Sequence, residues 1–230
     1  MDESVFSYLS RDPLLTVDMV EQLRRGTGAV LYAGDDGVLL RKEELLFLYC
    51  DSEEAALRIL DGHVQPDSGL VLHNPAFKEA IGERFGFFTG AEECYQCSYP
   101  HSVPAPTADI RPLDGRYAER LASLYGEDRI DYLRYLLDRG VMVGVFEGEE
   151  LAGFAGQHDD GSMGLLEVWP AYRRKGYGSE LERYYIRLEQ SRGHLPYCQV
   201  YVSNGVSLAI QRQMGAQISD NTLIWLFMPE

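Results

Sequence analysis

The chain has 230 residues, 45% of them hydrophobic, which suffices for one large packed domain or two smaller ones. Its formal charge of -15 excludes a general binder of nucleic acid or of anionic membranes, since both need a net basic face. No apolar stretch approaches the ~20 residues that cross a bilayer, and four cysteines suit a reducing compartment, so a cytoplasmic location is expected.

The opening MDESVFSYLS lacks the basic-then-apolar pattern of a secretory signal. Residues 4–10 and 14–25 read as two short helices, with Asp12-Pro13 as cap and first-turn proline of the second and Gly26 as its stop. The run GAVLYAGDDGVLLRKEELLFLYC reads as strands, with Asp36-Gly37 as a two-residue hairpin signal. Ser52-Glu53-Glu54 opens a helix through Leu60. Strand GLVLH follows, then a helix capped by Asn74-Pro75, then strand ECYQCSY. Cys94 and Cys97 form a CxxC, but no second pair and no nearby His-x-His completes a zinc site. They read as structural cysteines, and no metal is expected.

PHSVPAPTA, with Pro100, Pro104 and Pro106, reads as a linker, and it places a domain boundary near residue 105. The expected domains are 1–105 and 106–230. Beyond the linker come strand Ile110–Leu113, a helix carrying Tyr117, Leu121 and Leu124, and a second carrying Ile130, Leu133, Leu136 and Leu137. Strands MVGVFE, LAGFAGQH and MGLLEVW follow, the last two joined at Asp160-Gly161. A helix, strand PYCQVYV, helix GVSLAIQRQMG and strand TLIWLFM complete the chain.

The most informative stretch is Val168-Trp169-Pro170-Ala171-Tyr172-Arg173-Arg174-Lys175-Gly176-Tyr177-Gly178-Ser179. Pro170 cannot donate to a sheet ladder and stops the preceding strand. After Ser179, Leu181, Tyr184, Tyr185 and Leu188 fall at helical spacing, with Gly193 placed to end the helix. The first N–H groups of a helix lack intrahelical partners and carry a partial positive charge. Gly176 and Gly178 permit close approach or positive φ, and three cations stand beside them. The pattern suits a di- or triphosphate-like anion. Neither GxxxxGK[ST] nor GxGxxG is present here, which excludes the two commonest nucleotide loops.

Arg173, Gly176 and Gly178, preceded by Val168 and Pro170, resemble the acyl-CoA pyrophosphate loop of GNAT-superfamily N-acyltransferases. The element order β-α-α-β-β-β-α-β-α-β over residues 107–230 is that family's order. Asn204, Ser207, Ile210 and Gly215 resemble its second motif, with Ala216 in place of the usual Phe. Gly193, Val200, Asn204, Ser207 and Trp225 look most like the glycine N-acyltransferase-like branch. The resemblance implies an α+β fold with a mixed sheet, preceded by a smaller α/β domain. That first domain repeats hairpin, strand, helix, strand, helix, strand and lacks a basic glycine turn. It reads as a degenerate related half, expected either to pack on the catalytic half or supply part of the acceptor pocket, or to be purely structural.

The resemblance also implies chemistry. The strand before the loop splays from its neighbour at a bulge and opens a cleft for the pantetheine arm. Backbone amides of Leu166 and Val168 hold the thioester, and Arg173, Arg174, Lys175, Gly176, Tyr177, Gly178 and Ser179 hold the diphosphate of acetyl-CoA. Asn204 and Ser207 contact the pantetheine or hold the last helix. An amine must lose its proton before it attacks. The family's usual base positions are Gly164 and Ser162 here, neither competent. Glu167 is then the candidate base, although by strand parity it faces the other way unless a bulge reverses it. His158 and Asp159 rank after it. The family's tyrosine acid falls at Gln211, so Tyr177, Tyr197 or Tyr201 substitutes or the thiolate leaves unaided. The expected activity is transfer of an acetyl group to a primary amine of a small, cationic or amino-acid-like acceptor. The rival reading is a non-catalytic acyl-CoA-binding regulatory module.

Overall fold

A computed structural model describes residues 3–89 and 92–229. The chain begins with helices α1 (Glu3–Leu9) and α2 (Val17–Arg24), then strands β1 (Ala29–Gly34), β2 (Gly37–Lys42) and β3 (Leu45–Cys50). Next come α3 (Glu53–Leu60), β4 (Gly69–Leu72), α4 (Lys78–Phe85), β5 (Phe88–Thr89) and β6 (Cys94–Ser98). β7 (Asp109–Pro112), α5 (Ala118–Tyr125) and α6 (Ile130–Asp138) lead into β8 (Met142–Glu147), β9 (Glu150–Gln157) and β10 (Met163–Val168). The chain ends with α7 (Tyr177–Ser191), β11 (Tyr197–Tyr201), α8 (Gly205–Gln213) and β12 (Gln217–Phe227).

Local chemistry starts and stops these elements. Ser52 caps α3 by accepting the Ala55 N–H on its hydroxyl at 3.2 Å, and Asn74 accepts from Ala76 at 3.2 Å. Pro75 then opens a short 3-10 turn before α4 begins at Lys78. α2 starts at Val17, three residues later than the spacing suggests. Thr16 supplies the reason: its hydroxyl donates to the carbonyls of Leu9 and Asp12, which holds residues 12–16 in turns. The first hairpin pairs Gly34 with Gly37, so its two loop residues are Asp35 and Asp36, one position before the Asp36-Gly37 expected.

Two compact units form. The first comprises Met1–Ser98, Gln199–Arg212 and Ala216–Glu230, and the second Tyr99–Cys198 with Gln213–Gly215. The division falls at Ser98/Tyr99, and the C-terminal strand joins the first unit because β12 pairs antiparallel with β4, β5 and β6.

In the first unit the strands run β1-β2-β3-β4-β12-β6, and the β3–β4 pair is parallel. Alternation along β2 divides its side chains between two cores. Leu39 packs with Ala56, Ile59, Leu60 and Ile81 of α3 and α4, while Val38 and Leu40 pack with Val5, Leu9 and Met19 of α1 and α2. Helices therefore cover both faces, and each fully buried Leu contributes roughly 1.5–3 kcal/mol. All four cysteines are buried free thiols. Burial pushes Cys50 and Cys94 up to about 12, which removes the thiolate needed for reactivity.

The second unit is an antiparallel meander β7-β8-β9-β10, with β11 parallel to β10 at Met163↔Cys198. α5 and α6 cover one face through Leu121, Leu133, Leu136 and Leu137, packed on Met142, Phe154 and Leu165. α7 brings Leu181, Tyr185 and Ile186 to buried positions, and the Tyr185 hydroxyl donates to the Val141 carbonyl at 2.7 Å. Tyr197, also fully buried, donates to the Asp160 carbonyl at 2.7 Å.

A fully buried ion pair lies inside the first unit. His73 Nδ1 stands 3.0 Å from the Leu48 carbonyl and Nε2 2.9 Å from an Asp18 carboxylate oxygen. Both partners only accept, so both ring nitrogens donate and the imidazole is a cation. Burial pulls its pKa down, but the charge and hydrogen bond of Asp18 outweigh burial and the net shift is upward. A raised folded pKa contributes stability that is present below the unfolded value of about 6.5 and is lost as pH rises through the folded one. Thermal melts across that alkaline interval are expected to show wild type losing stability while His73→Gln shows no such loss from this group. Asp18→Asn, which strands a buried cation, is expected to cost about 3–5 kcal/mol in denaturant titrations near neutral pH.

Candidate acyl-donor site

β10 is not a regular strand. Gly164 opposes Gly156 and Glu167 opposes Phe154, so the two residues Leu165 and Leu166 face the single residue Ala155. The extra residue is a β-bulge, and Leu165 adopts φ +53° to make it. A bulky L-residue there costs roughly 1–2 kcal/mol. Leu165 is 4% exposed and packs on the α5–α6 core, so its burial, worth roughly 1.5–3 kcal/mol, offsets the strain.

The bulge changes which way the side chains face. Residues directly opposite one another share a face of the sheet, and so do residues two apart on a regular strand. Gly164 and Glu167 oppose Gly156 and Phe154, so both point to the α5–α6 face. Without the extra residue they would lie on opposite faces. Leu166 faces the other way, toward α7: a Cβ built on Gly178 would sit 3.6 Å from its Cδ2. Half-buried Glu167 has its pKa raised by burial, partly countered by Arg173.

The backbone follows the same logic. Trp169 N–H donates to the Ala152 carbonyl at 3.0 Å, so the neighbouring Val168 turns its own N–H and C=O away from β9. That carbonyl accepts from Arg173 Nε at 2.9 Å. Pairing of β10 with β11 is confined to Met163↔Cys198 among the described residues. The Leu166–Val168 edge is therefore free of strand partners on that side.

Past Val168 the chain makes a 3-10 turn over Pro170–Tyr172, then Arg174 at φ +64° and Gly176 at φ +87° reverse it into α7. Gly176 is the N-cap and offers no side-chain cap, and the first backbone bond of the helix runs from Glu180 N–H to the Gly176 carbonyl at 3.1 Å. The N–H groups of Tyr177, Gly178 and Ser179 precede it and point out of the helix end.

The three cations behave differently. Arg173 is tied to Val168. Lys175 pairs with Glu147 at 2.7 Å, an oxygen that also accepts from the Tyr177 hydroxyl at 2.7 Å, and the two partners hold the Glu147 carboxyl below its usual range. Arg174 is exposed and makes no hydrogen bond or ion pair among the described residues. It is the cation free to meet an anion at the helix end.

Of the second sequence motif, Asn204, Ser207 and Ile210 lie in the first unit and Gly215 in the second. Asn204 caps α8 by accepting the Ser207 N–H at 3.0 Å, and Asn204 itself is exposed. Gln211 is buried, and its Oε1 has no hydrogen-bond partner among the described residues. Among the tyrosines considered as acids, Tyr177 is committed to Glu147 and Tyr197 to Asp160. His158, placed after Glu167 as a candidate from the sequence, lies beside β10. Its Nε2 lies 2.5 Å from the Cβ that Gly164 lacks. The signal that would have found it is the unusual glycine at position 164 opposite a hairpin histidine. Among the described residues no group of three His, Cys, Asp or Glu could hold a metal ion, and no helix is long and apolar enough to cross a membrane.

The loop's two glycines have separable roles. Gly176 needs its positive φ, whereas Gly178 has helical backbone and only ordinary contact distance around a built Cβ. Gly176→Ala is expected to lose roughly 1–2 kcal/mol in chemical denaturation. Gly178→Ala is expected to stay within about 0.5 kcal/mol of wild type.

Residues 108–216 match the model of the acetyltransferase (GNAT) family. Among solved structures, a Drosophila protein aligns with TM-score 0.64 at 18% identity, over 84% of this chain and 74% of its own. An acetyltransferase from the GNAT family of Colwellia psychrerythraea aligns with TM-score 0.54 at 12% identity, over 100% and 98%. A putative acetyltransferase from the GNAT family of Novosphingobium aromaticivorans aligns with TM-score 0.53 at 16% identity, over 95% and 98%. At these identities the likeness shows the fold alone. No curated protein matches the chain. A bulged strand, a left-handed glycine turn and an uncapped helix N-terminus lie within the matched segment, and residues 108–216 are an acetyltransferase (GNAT) family domain.

Proposed function

We propose that this protein is an acyl-CoA-dependent N-acyltransferase, moving an acetyl group from acetyl-CoA to a primary amine by direct attack on the thioester. The observation that carries the reading is the join of β10 to α7. One short segment supplies a strand edge at Leu166–Val168 and the Arg174 side chain, both without partners among the described residues, together with three outward amides at Tyr177–Ser179. The residues fit an acyl-CoA. Outward amides and Arg174 suit a diphosphate, and the absent side chain of Gly178 lets the anion come close to the backbone.

The Val168 N–H, turned from β9, is suited to the thioester carbonyl. Negative charge grows on that oxygen during attack, and a fixed N–H at hydrogen-bond distance lowers the barrier. Arg173, by holding the Val168 carbonyl, fixes the adjoining Val168–Trp169 peptide. Holding donor and amine together supplies several kcal/mol more. The net charge of -15 favours a small cationic or amino-acid-like acceptor. The glycine N-acyltransferase-like positions Gly193, Val200, Asn204, Ser207 and Trp225 favour an amino-acid amine. We assign acyl transfer to residues 106–230 and a supporting role to 1–105.

Calorimetric titration with acetyl-CoA and a free-thiol assay over a panel of amines test the reading together. Binding with amine-dependent thiol release is the expected result. Binding without release across the panel would favour the regulatory module, and absence of binding would remove both readings. Arg174→Glu should weaken acetyl-CoA binding tenfold or more, since charge-assisted hydrogen bonds contribute about 1.5–3 kcal/mol. Gly178→Ala should weaken binding while leaving the melting temperature unchanged.

A further inference from the structure

β10 lacks a side chain where one would be most useful. Gly164 points to the α5–α6 face, two residues before Leu166 and so roughly 7 Å along the strand. The space is filled from another element. His158, in the five-residue connection between β9 and β10, lays its ring over Gly164, with Nε2 2.5 Å and Cδ2 2.7 Å from the missing Cβ. Any side chain at position 164 would collide with the imidazole.

The ring is held from behind. Its Nδ1 lies 2.9 Å from the Tyr132 hydroxyl of α6, and the two rings stack at 6.2 Å with planes 13° apart. His158 N–H donates to the Ser162 carbonyl, and Gly161 N–H to the His158 carbonyl, which fixes the backbone of the turn. Nε2 makes no hydrogen bond among the described residues. One nitrogen is anchored, and the other is presented over β10.

We infer that His158 is the general base of this active site, reaching the acceptor amine directly or through one water from the position that Gly164 leaves open. The inference rests on the acyltransferase reading above. With the Nδ1 proton donated to Tyr132 Oη, the Nε2 lone pair takes a proton from the ammonium form of the acceptor. The freed nitrogen pair forms the C–N bond at the thioester carbonyl, and the C–S bond breaks with its electrons going to sulfur. The second N–H proton neutralises the thiolate, and the imidazolium releases its proton to water. Tyr132 is a positioning residue in this scheme.

The charged surroundings agree with a ring that is neutral at rest. Burial pulls the His158 pKa below its ordinary value, against the opposing charges of Asp160 and Asp159. Those two carboxylates are themselves engaged. Asp159 Oδ1 accepts from Arg139 at 2.8 Å and from the Tyr135 hydroxyl at 3.1 Å, and Asp160 Oδ1 accepts from Ser162 N–H and Oγ. From β10, Glu167 shares the face, and burial raises its pKa. From α6, Tyr132 contacts the ring, and burial raises its pKa above the ordinary tyrosine value.

Steady-state kinetics of the full chain with acetyl-CoA test the assignment, using an amine that wild type turns over. His158→Gln and His158→Ala should lower kcat about 10²–10⁴-fold with acetyl-CoA affinity unchanged. Added imidazole should restore part of the His158→Ala rate, because Gly164 leaves room for it. With an alkyl amine, which stays in its ammonium form throughout the range, wild-type kcat/KM should fall as pH drops through a value below about 6.5. Both variants should lack that limb, and Tyr132→Phe should move it. Variants that bind acetyl-CoA, keep wild-type rates and keep the limb would overturn the assignment and leave the acyltransferase reading standing. Equal activity with a large loss in Glu167→Gln would transfer the role to Glu167. A wild-type protein that binds no acetyl-CoA and releases no thiol would overturn the underlying reading and this inference with it.

Discussion

One extra residue in β10 organises the second unit. The strand cannot keep regular alternation through Leu165, because two of its residues oppose Ala155 alone. The consequence is electrostatic as much as geometric. Gly164 and Glu167 come to one face, Leu166 goes to the other, and Val168 turns its N–H and C=O away from β9. The left-handed backbone at Leu165 persists only because the side chain is packed in the α5–α6 core. The hydrophobic core and the presentation of the strand edge are therefore the same structural fact. Removing that packing would release the bulge and the edge together.

The turn after β10 is built on a related principle, in which backbone conformation as much as side-chain charge makes the anion site we propose. Gly176 and Arg174 both take positive φ, and they aim the end of α7 outward with no side chain capping it. An uncapped helix end has unsatisfied donors, and in a protein of this charge they stand out as a local positive centre. The neighbouring cations are partly occupied in holding the turn. Lys175 ties it to the end of β8 through Glu147, and Arg173 ties it to Val168. Arg174 alone of the three is left with no intramolecular partner among the described residues.

The first unit obeys different constraints. Its sheet is covered on both faces, and its interior carries a buried imidazolium held by Asp18 and the Leu48 carbonyl. Such a pair is costly to bury and strongly destabilising to break, so it favours a single arrangement of α2 against β3 and β4. The buried thiols of Cys50 and Cys94, whose pKa values burial raises, belong to the same dry environment.

Elements defined by local chemistry were legible in the residues alone. Pro170 ends β10, the glycine-containing turn precedes α7, Ser52 caps α3, and Asn74 caps the short turn before α4. The order of elements over 107–230 resembles the family that 108–216 matches. The caps, stops and turns depend on neighbours within a few positions. Long-range pairing decided the rest. Parity placed Glu167 away from Gly164, and only the register with β9 reverses it. Three adjacent cations look alike in sequence, yet Glu147, 28 residues from Lys175, occupies one and the Val168 carbonyl another. His158 stands six positions before Gly164, and only the hairpin's return brings its ring over the strand. Spacing determines where a helix or strand begins, because that chemistry is local. Which face a residue presents and which partner neutralises it depend on cross-strand register, which no single segment encodes.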